Sequence, residues 1–150
     1  MGMWGTMAKK FVFACVVLTA AMSRCLAMDA GALLQKMPSS FSGTHVWQHN
    51  NETWRASVDF TSRYAGQHGD AIFEGIERIE NSSGTASFST KVRAAVNAGT
   101  LAFDMAEIYD YSKPGFSPSV YTGTVSPDLS TIDARWRSGG KNLLVHLTAK

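Results

Sequence analysis

The sequence predicts an all-β fold: a single eight-stranded antiparallel up-and-down barrel with a short N-terminal helix after a signal peptide. Three observations carry that expectation. Beyond residue 40 the apolar side chains recur with a period of two, the strand period, rather than 3.6. Turn signals break the pattern about every 8–12 residues, the spacing of all-β barrels and sandwiches. No crossover helix separates the strands, so neighbours pair antiparallel, and closure into a barrel leaves no open edge.

Residues 1–27 read as an export signal. Lys9 and Lys10 supply a positive flank to the apolar run Phe11 to Met22. Cys25-Leu26-Ala27 places small side chains where signal peptidase needs them for a cut after Ala27. The run is too short for a membrane span, which takes roughly 20 apolar residues. Arg24 before Cys25 argues against lipidation. The domain is therefore expected to occupy residues 28–150.

In that domain Asp29 caps a helix from Ala30 to Met37, stopped by Pro38. Gly43 to Gln48 is the first strand. Trp54, Ala56, Val58 and Phe60 alternate with Arg55, Ser57, Asp59 and Thr61 to make the second. Asp70 to Ile79 is the third, with Gly75 marking a bulge or bend. Ala86, Phe88, Thr90 and Val92 line one side of the fourth; Leu101, Phe103 and Met105 line one side of the fifth. A loop with two prolines runs from Ser112 to Ser119. Val120 to Val125 is the sixth strand, Ser126-Pro127-Asp128 a tight turn, and Ile132, Ala134 and Trp136 alternate along the seventh. Ser138-Gly139-Gly140 turns into the last, with Leu143, Val145 and Leu147.

Charge and composition narrow the function. Of 14 Lys and Arg, three (Lys9, Lys10 and Arg24) lie in the leader, so 11 basic residues face 12 acidic ones and the mature charge is −1. Nucleic-acid binding, which wants a basic stripe, is disfavoured, as is an anionic membrane surface. Both cysteines, Cys15 and Cys25, leave with the signal. An exported domain without disulfides fits a bacterial periplasm or secretome better than a small eukaryotic secreted domain. Asn51-Glu52-Thr53 and Asn81-Ser82-Ser83 match glycosylation acceptors, a pattern polar loops often carry by chance.

The run from Tyr121 to Trp136 resembles the penultimate hairpin of small bacterial lipocalin-like proteins: a strand, a Ser-x-Asp turn and an outgoing strand ending in Trp. With the small helix and the Gly43–Trp47 strand, the chain looks like a calycin-type barrel of the lipocalin and avidin kind. It departs from the lipocalin pattern at Gly43-Thr44-His45-Val46-Trp47, where Gly-x-Trp is usual, and the Arg usual on the last strand is missing. The resemblance implies a barrel and a ligand cavity, and no particular ligand.

Site chemistry is sparse. His45 and His49, four apart, could share a metal with His68 or His146, but His49 adjoins Asn50 and Asn51, and surface histidines are the default. Among the carboxylates, Glu74, Glu77 and Glu80 sit between Ile72, Ile76 and Ile79 and read as a solvated face. No Gly-x-Ser-x-Gly or mature cysteine offers a nucleophile, so no enzyme, metal or cofactor is expected. The expected function is non-enzymatic binding of a small apolar or sugar-like ligand in the barrel or at its mouth, with Trp54, Phe88, Phe103 and Trp136 as contacts. The alternative is a protein partner, such as an extracellular hydrolase, inhibited through the loop bearing Lys113 and Phe116. The first test is processing: N-terminal sequencing of secreted or periplasmic protein should read from Met28, and thiol titration should find no cysteine. Recovery of the soluble protein with residues 1–27 attached would refute the export reading.

Overall fold

The computed structural model describes residues 28–108, 119–138 and 141–150. The signal segment, Lys113 and Phe116 lie outside the described residues. Helix α1 (Ala30–Lys36) starts where Asp29 accepts the Ala32 backbone N–H at 2.7 Å and ends before Pro38, within a residue of the expected span. Strands β1 (Ser40–Trp47), β2 (Glu52–Ala65), β3 (Asp70–Asn81), β4 (Ser87–Asn97), β5 (Ala102–Glu107), β6 (Val120–Val125), β7 (Thr131–Ser138) and β8 (Lys141–Ala149) follow. Each pairs antiparallel with the next, and β1 pairs β8 from Phe41↔Ala149 to Trp47↔Leu143, so the barrel is closed. The expected neighbours β6 and β7 pair from Tyr121↔Trp136 to Val125↔Ile132.

The alternation seen in the sequence becomes an inside and an outside. Ala56, Val58 and Phe60 of β2, Phe103 and Met105 of β5, Ile132 and Ala134 of β7, and Leu143, Val145 and Leu147 of β8 are all buried. Up-and-down connectivity puts the β1–β2 and β3–β4 turns at one end, the mouth, together with the strand ends at Glu107, Val120, Ser138 and Lys141. The helix and the remaining turns close the other end, the floor. There Leu33 and Met37 of α1 join Phe41, Phe60 and Phe73 in the core, with Phe60 and Phe73 rings 5.4 Å apart.

The irregularity expected at Gly75 lies across the ladder from it. Phe60 pairs with Gly75 and Ser62 with Glu74, which leaves Thr61 as an extra residue in β2. A Cβ on Gly75 would overlap the Asp59 carbonyl oxygen, so only glycine lets the strands close up at this bend. One inserted residue exchanges the two faces of a strand. The inward parity of Ala56, Val58 and Phe60 thus passes to Arg63, and β2 runs past Thr61 to Ala65.

Arg63 closes the floor. Its guanidinium donates to the Leu34 carbonyl at 2.7 Å, the Met37 carbonyl at 2.9 Å and the Ser39 hydroxyl at 2.5 Å. Those carbonyls include free acceptors of the helix C-terminus. The same group lies 5.5 Å from the Phe73 ring centre. The cation at the closed end comes from β2, not from the last strand, where the lipocalin pattern has its Arg. Arg63→Met should cost about 1.5–3 kcal/mol in urea denaturation, the scale of charge-assisted hydrogen bonds, and should speed amide exchange in α1. Arg63→Lys should not restore the loss, because an ammonium lacks the planar fork. Unchanged stability in Arg63→Met would show that the clamp is idle.

Candidate functional site

Strand alternation near the mouth sends different chemistry inward. From β1 come His45 and Trp47, from β2 Trp54, from β3 Glu77 and Ile79, from β5 Glu107, from β6 Tyr121, and from β7 Trp136. Three of these are buried and ionisable: His45 is 1% exposed, Glu77 0% and Glu107 7%. Tyr121 is buried beside them. A cavity of about 110 Å³ opens above, walled by Trp47, Trp54, Ile79, Phe88, Trp136 and Leu143, with His45, Glu107, Ser119 and Tyr121 as its polar lining.

The polar groups are close but incompletely paired. The Tyr121 hydroxyl donates to Glu77 Oε2 at 3.4 Å, a long bond. His45 Nε2 and Glu77 Oε1 are 3.4 Å apart, yet not aligned as a hydrogen bond, and neither atom has a partner among the described residues. Trp54 Nε1 is likewise buried and unpartnered. Glu107 Oε2 accepts the Ser119 backbone N–H at 2.9 Å. The His45 and Tyr121 rings stand 5.7 Å apart, and Trp47 meets Trp136 edge to face at 5.5 Å.

Burial dominates the protonation of the cluster. It pushes the Glu107 carboxyl above its ordinary range, with the Glu77 charge adding to the shift and the Ser119 N–H opposing it. Burial also pushes the Tyr121 phenol far up, reinforced by the Glu77 and Glu107 charges, so it stays a neutral donor. The cavity therefore offers a phenol, the Glu107 carboxyl and an imidazole to whatever enters, with an unpartnered indole N–H on its wall, while the Glu77 carboxyl is buried beside Tyr121 and does not line it.

A larger hollow of about 510 Å³ lies on the outer face of the barrel, along Thr44, Val46, Thr122, Asp133, Arg135, Leu144 and His146. Its charged residues are exposed, and Asp133 and His146 bond to each other at 2.6 Å. Size alone would favour it. The interior cavity is the better candidate because two residues with buried, unpartnered polar atoms, His45 and Trp54, line that one and none lines the outer hollow.

The expected contacts divide. Trp54, Phe88 and Trp136 line the cavity. Phe103 does not: it is buried nearer the floor, opposite Val96 and Gly123. Phe88 has the inward parity but is 49% exposed. β4 and β5 pair only from Val92↔Glu107 onward, so among the described residues no β5 partner covers the mouth-proximal part of β4.

Two readings are corrected. Glu77 is not on a solvated face with Glu74 and Glu80. It shares the parity of Ala71, Phe73, Gly75 and Ile79, and its neighbours at 74 and 80 point the other way. His45 is not a surface histidine but a buried one. The histidines do not converge. His49 is exposed in a turn beside Trp47, His68 is exposed in the β2–β3 turn, and His146 faces outward. Among the described residues no group of three or more His, Cys, Asp or Glu is placed to hold a metal ion. The signal for Glu77, His45 and Glu107 was present in parity. His45 lies between Gly43 and Trp47 on the inward set, and Glu107 continues Phe103 and Met105.

Comparison with known proteins finds no family that matches the chain and no curated relative. The chemistry of this cavity is what bears on function.

The raised Glu107 carboxyl has a consequence for stability. Its native form holds a proton to higher pH than the unfolded chain, whose ordinary value is 4.5. Between those two values the native state binds more protons, so stability falls as pH rises. Below the window the penalty vanishes; above it the penalty is complete. Glu107→Gln should therefore raise stability in urea melts at about pH 8 and give no gain at about pH 4. An equal gain at both would mean that charge burial is not the cause.

Proposed function

We propose that the protein is an exported, non-enzymatic, lipocalin-like binding protein that takes the polar end of a small, partly apolar ligand into the mouth of its barrel. One observation carries this reading: three buried polar atoms, His45 Nε2, Glu77 Oε1 and Trp54 Nε1, lack partners at or beside one cavity. An unsatisfied buried polar group costs about 1–3 kcal/mol. A ligand with complementary donors and acceptors relieves that cost, and its affinity draws on the relief.

The walls set the size and shape. A cavity of about 150 Å³ admits benzene, so the 110 Å³ here suits a short polar head, with any ring left at the rim. The rest of the ligand lies against Trp47, Phe88 and Trp136, whose faces suit a flat aromatic or a sugar-like ring. The antiparallel barrel with a helix at its floor supports the calycin-type kinship that the Tyr121–Trp136 hairpin suggested.

Indole, phenol and benzyl alcohol are suitable probes, read by tryptophan fluorescence and by thermal shift. A probe that binds the native state should raise the melting temperature progressively with its concentration. Trp54→Ala should abolish the shift while the protein stays folded. Phe103→Trp should cost roughly 1–3 kcal/mol of stability by overpacking the floor and leave probe affinity unchanged. A folded wild-type protein that responds to none of the probes would overturn the reading.

A further inference from the structure

One polar group in the lining of the interior cavity has both a fixed hydrogen-bonding role and no partner. Trp54 lines the cavity, and its Nε1 is buried and unpartnered among the described residues. The side chain as a whole is only half-buried, so the polar end of the ring is the end withdrawn from water. An indole N–H is a donor only. The other polar groups of the lining lack this combination. Glu107 Oε2 accepts the Ser119 N–H at 2.9 Å. The Tyr121 hydroxyl is directed at Glu77. His45 Nε2 donates or accepts according to its tautomer, so it selects no class of ligand.

What Trp54 lacks is an acceptor. An ammonium brings donors alone and leaves the indole N–H unserved. A hydrocarbon offers nothing to it. A carboxylate accepts, but no Lys or Arg among the described residues lines the cavity to offset its loss of water, and the Glu107 carboxyl is already there. A ketone, aldehyde or ester oxygen accepts with no charge to bury and no hydrogen of its own to place.

Resting on the small-ligand reading above, we propose that the cavity selects uncharged carbonyl compounds, with the carbonyl oxygen accepting from Trp54 Nε1. The rest of the ligand lies at the rim, where Trp47 and Trp54 also wall a second hollow of about 160 Å³. Trp54 is then the residue that determines specificity, through its N–H rather than its ring.

Acetophenone, ethylbenzene and benzoate share a ring and differ in the head, and they test this when titrated at neutral pH into protein carrying nitrogen-labelled tryptophan. Acetophenone should move the Trp54 indole N–H resonance downfield, and ethylbenzene should not. Benzoate should bind more weakly than acetophenone. Trp54→Phe keeps an aromatic ring and removes the donor. It should weaken acetophenone at least about tenfold and ethylbenzene little, because only the carbonyl has lost a partner for the water it gave up. The inference is overturned if bound acetophenone leaves the Trp54 resonance in place, if benzoate binds as well as acetophenone, or if Trp54→Phe weakens acetophenone and ethylbenzene alike. Each of those outcomes leaves the ligand-binding reading standing. Binding of none of the three overturns both. The wild-type resonance decides the matter even if Trp54→Phe does not fold, since Trp47→Phe and Trp136→Phe identify the Trp54 signal by elimination.

Discussion

Closure of the ladder between β1 and β8 is the constraint on which the other features depend. Seven register pairs from Phe41↔Ala149 to Trp47↔Leu143 turn a strip of hairpins into a tube. In an open sheet, His45 on the first strand and Tyr121 on the sixth would lie far apart. In the tube their rings stand 5.7 Å apart. Closure also removes the inward side chains from water, and that is why an ordinary glutamate at position 77 becomes a buried group with an unpaired oxygen.

The tube divides its interior unequally. The floor is packed with Leu33, Met37, Phe41, Phe60 and Phe73 and locked by Arg63. The half-buried Arg63 guanidinium is engaged there, bonding the end of α1 and lying near Phe73. The upper part spends that stability on four polar residues that hydrocarbon packing alone would not select. Proteins commonly hold such costly groups at functional positions, on a scaffold stable enough to tolerate them. Here scaffold and site belong to the same strands, with Phe41 and His45 four residues apart on β1.

Most of the fold was legible because one rule, period-two alternation, governs nearly every element. Trp54, Ala56, Val58 and Phe60 reported their face without help from any other strand. Alternation failed where something interrupted it. The extra residue at Thr61 reversed the parity of β2 and delivered Arg63 to the helix, and nothing local in Thr61-Ser62-Arg63 announces a bulge. The cluster was harder to see for a different reason. Glu77 was grouped with Glu74 and Glu80 by residue type, although its parity matched Phe73 and Ile79. Residue type outweighed position, because a charged side chain inside a barrel is the less common outcome. The pairing of Glu77 with His45 and Tyr121 is a property of closure across β1, β3 and β6, which no local window contains. Phe88 shows the converse: its parity was right, and its exposure follows from where β5 stops.

The protonation of the cluster links shape to selectivity. Tyr121 is held as a phenol by burial and by the two neighbouring carboxylates. Its hydroxyl donates to Glu77 Oε2 through the long hydrogen bond at 3.4 Å. Glu107 is pushed the other way, toward the acid form, by burial and by the charge on Glu77. The two carboxyls thus become inequivalent, although both project into the same end of one barrel. Glu107 accepts the Ser119 N–H, whereas Glu77 Oε1 is the oxygen left without a partner beside His45 Nε2. A ligand that enters therefore meets the Glu107 carboxyl and the Tyr121 phenol as its polar partners, with the tryptophan faces of the wall to hold the rest of it.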